Sequence, residues 1–293
     1  MTRQLVPGPE RRTIEVLVEG ALDGPVVLFH GGTPSAVAEF PMLDDAARAH
    51  GLRVVTYSRP GYGRSTPRPA PGAFADDVAD AVAVLDHLGI DDFLTLGWSG
   101  GGPRALGCAA LLPARCRAAT TISGVAPFDA DGLDWYDGMA EENHEEYGAA
   151  QAGPEAYDAY LVEHVLPMLS TSADELEEAF GGLVTPVDAA VLTADFARWM
   201  SHSFNHAATQ GAVGIRDDGL AAMQPWGFEL AGIRVPVALW HGREDAFVPY
   251  THGVWLAERI PGVETHLFED EGHLTLMYRL DEVLADLKRL GGY

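Results

Sequence analysis

Two patterns of apolar and polar residues alternate along this chain. Short runs rich in Val, Leu, Phe and Thr recur at PVVLFH (Pro25–His30), RVVTYS (Arg53–Ser58), FLTLG (Phe93–Gly97), ATTISGV (Ala119–Val125), VPVALWHG (Val235–Gly242) and ETHLFED (Glu264–Asp270). Runs of this length, bounded by turn-forming residues, read as buried strands. In ADDVADAVAVLDHL, Val78, Val82, Leu85 and Leu88 instead recur every three or four positions with acids between them, and Gly89 follows. That spacing predicts an amphipathic helix over Ala75–Leu88 with a glycine stop. PRALGCAALL (Pro103–Leu112), the stretch around THGVWLAERI (Thr251–Ile260) and Leu276–Leu290 read as further helices. Strand alternating with helix predicts an α/β fold, a mostly parallel sheet with helices on both faces.

The alternation stops between about Val125 and Pro225, where strand signals are scarce. YDGMAEENHEEYGAAQ, PEAYDAYLVEHVLPML, ADELEEAFGGL and VDAAVLTADFARWMSHSF all read as helical. Tyr157, Leu161, Val165 and Met168 keep a helical period and are expected to pack this segment's own core. Trp135, Tyr136, Trp199, Phe204 and Met223 either pack or line a pocket, and each taken singly reads as core. With no internal repeat, low-complexity tract or linker, the expected organisation is one folding unit. Residues 1–124 and 226–293 form its core, and residues 125–225 form a helical cap insertion.

Composition narrows the function. With 293 residues, 47% hydrophobic and 21% charged, the chain is ordinary for a globular protein. A formal charge of −24 repels polyanions, which argues against a nucleic-acid partner. The two cysteines, Cys108 and Cys116, form no CxxC pair and read as buried, idle thiols rather than a disulfide framework or a zinc site. MTRQLVPGPERR lacks the apolar region of a secretory signal, and no uninterrupted apolar run reaches about 18 residues. The expectation is a cytoplasmic protein without a membrane partner, a cofactor or a metal, acting on a small molecule; the oligomeric state is open.

The richest motif is LTLGWSGGGP (Leu94–Pro103). GWSGGG has the wrong glycine spacing for the GxGxxG of dinucleotide binding, and it lacks the lysine of a phosphate-binding loop. Gly97, Trp98, Ser99, Gly100 and Gly101 match GxSxG, a sharp turn that exposes a serine when a strand precedes it and a helix follows. FLTLG and PRALGCAALL supply that context.

A serine hydroxyl needs a base and an acid, in the chain order serine, acid, histidine for this kind of turn. His273 lies in FEDEGHLTL, between the last strand and the final helix, and is the candidate base; His266 falls within the strand and His252 at a helix start. Asp245 in HGREDAFVP, just past VPVALWHG, is the candidate acid, ahead of Asp129, Glu244 and Asp270. Acyl transfer also requires two N–H donors for the developing oxyanion. Gly100 gives one, and HGGTP after PVVLF gives the other from Gly32 or, alternatively, Thr33. Trp98 and Thr33 are candidate substrate contacts. Two further signals read as structural. His202 and His206 have metal-ligand spacing but no HExxH glutamate, and EENHEE (Glu141–Glu146), although able in principle to bind a cation or a substrate amine, reads as a solvated helix face.

HGG (His30–Gly32), RPGYGRS (Arg59–Ser65), GWSGG (Gly97–Gly101), GREDAFVP (Gly242–Pro249) and GH (Gly272–His273) fall in one order, and on them the chain resembles the α/β-hydrolase superfamily from about Arg12 to Leu290. The resemblance implies eight strands, a cap inserted after the sixth (here ATTISGV), and a Ser99–His273–Asp245 triad with an oxyanion hole. Haloalkane dehalogenases and many epoxide hydrolases of the superfamily use an aspartate nucleophile, so Ser99 argues against those chemistries. Proline iminopeptidases are similar in HGG and in a helical cap, but their motif continues HGGPG and places tryptophan after the serine. The expected function is esterase-like hydrolysis of a small to medium, partly apolar ester through an acyl-enzyme. The alternatives are C–C bond or amide hydrolysis or perhydrolysis by the same triad, and a non-catalytic binding scaffold.

Overall fold

VVLFH is a strand in which every residue is buried, which requires cover on both faces. The computed structural model describes residues 1–293. Its strands are β1 (Thr2–Pro7), β2 (Thr13–Gly20), β3 (Val26–His30), β4 (Arg53–Tyr57), β5 (Phe93–Trp98), β6 (Cys116–Ile122), β7 (Val237–Gly242) and β8 (Glu264–Phe268). They form a single eight-stranded sheet in the order β1-β2-β4-β3-β5-β6-β7-β8. β2 runs antiparallel to both β1 and β4, and all other neighbours are parallel. The mostly parallel sheet expected from the runs therefore forms. β1 and β2 escape the pattern because TRQLVP is a mostly exposed edge strand, and TIEVLVEG buries Glu15 and Glu19 among its apolar residues.

α1 (Pro41–Ala49), α2 (Phe74–His87) and α3 (Gly102–Leu111) precede a long helical segment. Alternate strand residues face opposite layers, as the two-residue period of a strand requires. Val27, Phe29, Leu94 and Leu96 join one core and Leu28, Phe93 and Leu239 the other. On α2, Val78 and Leu85 are buried as predicted, whereas Val82 and Leu88 are only half-buried and the acids Asp77 and Asp80 are buried instead. Their partners are arginines from elsewhere in the chain, described below.

Between β6 and β7 lie α4 (Glu141–Gln151), α5 (Pro154–Tyr160), α6 (Leu166–Leu169), α7 (Leu176–Phe180), α8 (Pro186–Ala189), α9 (Ala194–Ala207) and α10 (Val213–Ala222), with no strand among them. Tyr157, Leu161 and Val165 are buried and Met168 half-buried. Trp199 stacks on Phe40 with ring centroids 3.7 Å apart, which ties this helical segment to the sheet side. α11 (Tyr250–Arg259) and α12 (Leu280–Leu290) complete the fold, α12 being preceded by a 3-10 turn over Thr275–Arg279 rather than starting at Leu276. No helix is long and apolar enough to cross a membrane. Cys108 and Cys116 are buried and unpaired.

Candidate active site

The turn after β5 is set by close backbone approaches. A Cβ on Gly97 would lie 2.3 Å from the carbonyl oxygen of Gly101, and one on Gly101 would lie 2.0 Å from that of His30. Two glycines therefore let the turn into α3 press against the end of β3. Between them Ser99 adopts φ +55°, a left-handed conformation rare for a residue with a side chain, and one of the few strained backbone sites in the chain. The side chain of Ser99 lines a cavity shared with Gly32, Thr33, Trp98, Gly100 and His273.

Asp245 follows β7 and is buried, and its Oδ2 is 2.8 Å from His273 Nδ1. Its Oδ1 accepts the Val248 N–H at 2.8 Å, so each carboxylate oxygen has a donor. Burial pushes the Asp245 carboxyl up, but the charge and hydrogen bond of His273, with His241 and the Val248 N–H, outweigh burial and hold it below the ordinary range. The His273 ring stacks on Phe247 at 4.5 Å between centroids, and the Trp98 indole N–H donates to the His273 carbonyl at 3.3 Å. With Nδ1 turned to Asp245, Nε2 is the nitrogen left for chemistry.

The competing residues stand elsewhere. Asp129, Glu244 and Asp270 are exposed. His266 stacks on Trp240 and bonds Asp286 at 3.2 Å. His252 is held between the Ala126 N–H and the Trp135 carbonyl, and burial pushes its pKa down to about 4.

Gly31 and Gly32 both turn their carbonyls to Arg59, at 2.8 Å from Nη1 and 2.8 Å from Nη2. In a trans peptide the C=O and the following N–H point in opposite directions, so the N–H groups of Gly32 and Thr33 are turned away from the guanidinium. No acceptor in the protein engages either of them. A Cβ on Gly32 would lie 3.3 Å from Ser99 Cβ, which places this strip beside the serine. Both donors weighed from the sequence are thus available, together with Gly100.

Arg59 and Arg104 brace the backbone around Ser99, a part that their places in RPGYGRS and PRALGCAALL do not announce. Arg104 projects from the otherwise apolar α3, donates to the Gly100 carbonyl at 2.5 Å and pairs with Asp77 and Asp218 at 2.6 Å each. Asp218 comes from α10 and also takes Arg59 at 2.6 Å, Tyr62 at 2.9 Å and the Thr33 hydroxyl at 2.9 Å. Burial would raise Asp218, but Arg104 and Arg59 outweigh it and hold the carboxyl low. Asp80, with Arg12 and Arg68, extends the network. A lone arginine in the apolar helix was the available signal. Its partner, 114 residues further on, left none.

The remaining cavity wall is mostly apolar, with Phe74, Val165, Met200, Phe204 and Ile215 among its residues and Asn143 as a polar exception. Glu146 also lines it, which corrects part of the reading of EENHEE as a solvated face. Glu141 and Glu145 are exposed and Glu142 accepts the Gly182 N–H, but the turn of α4 carries Glu146 inward, where it accepts the Tyr157 hydroxyl at 2.7 Å. Burial raises its pKa and no cation pairs with it. His202 is exposed, and His206 bonds Glu15 at 2.7 Å instead of sharing an ion with it.

The sequence profile of the α/β hydrolase fold family matches residues 24–280, and the chain belongs to that family. It is 28% identical to a non-heme chloroperoxidase of Streptomyces lividans over 235 residues, 79% of this chain and 78% of that one. It is 27% identical to a 2-hydroxy-6-oxononadienedioate/2-hydroxy-6-oxononatrienedioate hydrolase of Paraburkholderia phymatum over 264 residues, 87% of this chain and 82% of that one. The crystal structure of a bromoperoxidase from Bacillus anthracis superposes with a TM-score of 0.74 at 21% identity, covering 98% of this chain and 100% of that one. The chain is therefore an enzyme of the α/β hydrolase fold, with a helical segment inserted between β6 and β7.

Proposed function

We propose that this hydrolase cleaves a carboxylic ester of small to medium size through an acyl-enzyme on Ser99. In this reading residues 1–124 and 226–293 form the catalytic core and residues 125–225 the cap. Ser99 Oγ attacks the ester carbonyl and its proton passes to His273 Nε2. Asp245 keeps the imidazole oriented and stabilises the imidazolium. The oxyanion is held by the N–H of Gly100 and that of Gly32 or Thr33, each such donor contributing about 3 kcal/mol in comparable sites. Collapse expels the alcohol, which takes the proton from Nε2, and water then hydrolyses the acyl-serine by the same steps.

The observation that carries this reading is the Asp245–His273 bond of 2.8 Å behind a cavity onto which the strained Ser99 opens. The apolar wall suits a partly apolar acyl or alcohol group, with Trp98 and Thr33 flanking the serine. Polarity also bears on the choice of substrate. Arg104 is the one cation on the wall and is spent on Asp77, Asp218 and the Gly100 carbonyl, whereas Glu146 has no counter-ion. This argues against a dicarboxylate such as the relative's name specifies, and for a neutral group or a hydrogen-bond donor. Similarity to that hydrolase and to the chloroperoxidase supports a second reading, C–C bond cleavage or perhydrolysis by the same triad.

Intact-mass measurement after exposure to a fluorophosphonate is the test. One adduct is expected on the wild type and none on Ser99→Ala, with His273→Ala labelled at least about 100-fold more slowly. Labelling that survives Ser99→Ala, or full turnover of activated esters by that variant, overturns the nucleophile assignment.

A further inference from the structure

The cap reaches the candidate base through one carboxylate. Asp188 sits in the four-residue helix α8, fully buried, with no arginine, lysine or histidine side chain bonded to it. Its partners are three consecutive backbone N–H groups of the loop that carries the histidine. Oδ2 accepts from His273 at 3.0 Å, and Oδ1 accepts from Leu274 at 2.7 Å and Thr275 at 3.1 Å. The preceding residue has to be glycine for the carboxylate to fit, because a Cβ on Gly272 would lie 2.5 Å from Asp188 Oδ1 and 2.6 Å from Oδ2. His273 is thus fixed at both ends of its own backbone, its N–H by Asp188 from the cap and its carbonyl by Trp98 beside the serine.

Burying a carboxylate with only N–H partners is costly, and a loop between β8 and α12 can satisfy its amides more cheaply with water. The arrangement gains something that a solvated loop lacks. Three charge-assisted bonds to successive amides fix the position and tilt of the peptide from which the imidazole projects. We propose that Asp188 is a positioning residue that holds His273 in register with Asp245 and Ser99, so that alignment of the base depends on the cap being seated. The proposal rests on the triad reading above. Asp188 touches no reacting atom, and its effect is transmitted through the histidine backbone.

Asp188→Asn tests it, because the amide keeps the volume and one acceptor while its NH₂ opposes the N–H groups now bound. With an activated ester, kcat is expected to fall about 10- to 100-fold, the scale of a misplacement of about 1 Å, with KM within about 3-fold of wild type. The low-field proton resonance of the His273–Asp245 hydrogen bond should broaden or move upfield in the folded variant. In an Asp245→Asn background, where the charge that orients the imidazole is already lost, Asp188→Asn should lower kcat by less than about 3-fold, since two residues acting through one histidine are not additive. Gly272→Ala, which displaces the carboxylate from the opposite side, is the second variant and is expected to reproduce the loss of kcat should Asp188→Asn fail to fold. An unchanged kcat in either folded variant, an unaltered resonance, or full additivity with Asp245→Asn overturns the role. The resonance is read without substrate, so it tests the positioning even where turnover fails. Absence of Ser99-dependent labelling in the wild type is by contrast a failure of the hydrolase reading alone.

Discussion

Ser99 is where sequence and strain meet. At φ +55° its backbone lies where a side chain costs free energy, and the surrounding contacts hold it there: Gly97 and Gly101 against neighbouring carbonyls, and β3 and β5 in parallel register with His30 opposite Gly97. The strain should be visible as stability. Ser99→Gly removes the Cβ that conflicts with this φ, whereas Ser99→Ala retains it, so the glycine variant should unfold at higher urea concentration, by about 1 kcal/mol. Equal midpoints would mean that the turn is not strained. Both variants should be inactive, which separates stability from chemistry at a single atom. The motif made this residue legible because its glycines are dictated by local sterics. Arg59 and Arg104 were not legible as a pair, because what joins them is Asp218, far along the chain.

At the level of elements, the strands and the helices packed on them announce themselves and the helices between β6 and β7 announce themselves less well. β3, β5 and β7 are buried throughout, so their runs are almost wholly apolar, with Thr95 inside β5 and His30 and His241 at the ends of the β3 and β7 runs. α6 and α8 have four residues each, too few to show a period, and the run expected over Val187–Phe204 is broken before α9 at Ala194. The role of α10 is equally hidden, since its sequence says nothing of the arginines that await Asp218. Asp218→Asn should destabilise the protein by about 3–5 kcal/mol, the usual cost of removing one partner from a buried ion pair. It should also slow fluorophosphonate labelling of Ser99, because Arg59 holds the Gly31 and Gly32 carbonyls and is itself held by Asp218. Urea titration and labelling rate check the two arms. A variant as stable as wild type would show that the network contributes nothing net.

Over the whole molecule the charge is unevenly distributed between inside and outside. Arginines 12, 59, 68 and 104 are drawn inward to Asp77, Asp80 and Asp218, so the outer surface is left rich in acids, on a chain whose formal charge is −24. Glu19 on β2 is inside as well, 3% exposed, with Asp44 and Glu39 near and no cation bonded to its carboxylate. Burial first, and those acids second, push its pKa from 4.5 up to about 7. Because the folded value is the higher one, the folded state binds the extra proton. Stability is therefore fully present below pH 4.5 and is lost as the pH rises through about 7. Two buried histidines act in the opposite sense: burial pushes His30 down to about 3 and His252 to about 4, so their contributions are lost as the pH falls below 6.5. Glu19→Gln cancels the first effect and leaves the second. Relative to wild type it should be more stable near pH 8, by at most about 3 kcal/mol and less where solvent screens the carboxylate, with the gain vanishing towards pH 4.5, as measured by urea unfolding across that range. A gain of the same size at every pH would place its origin in packing and not in the proton.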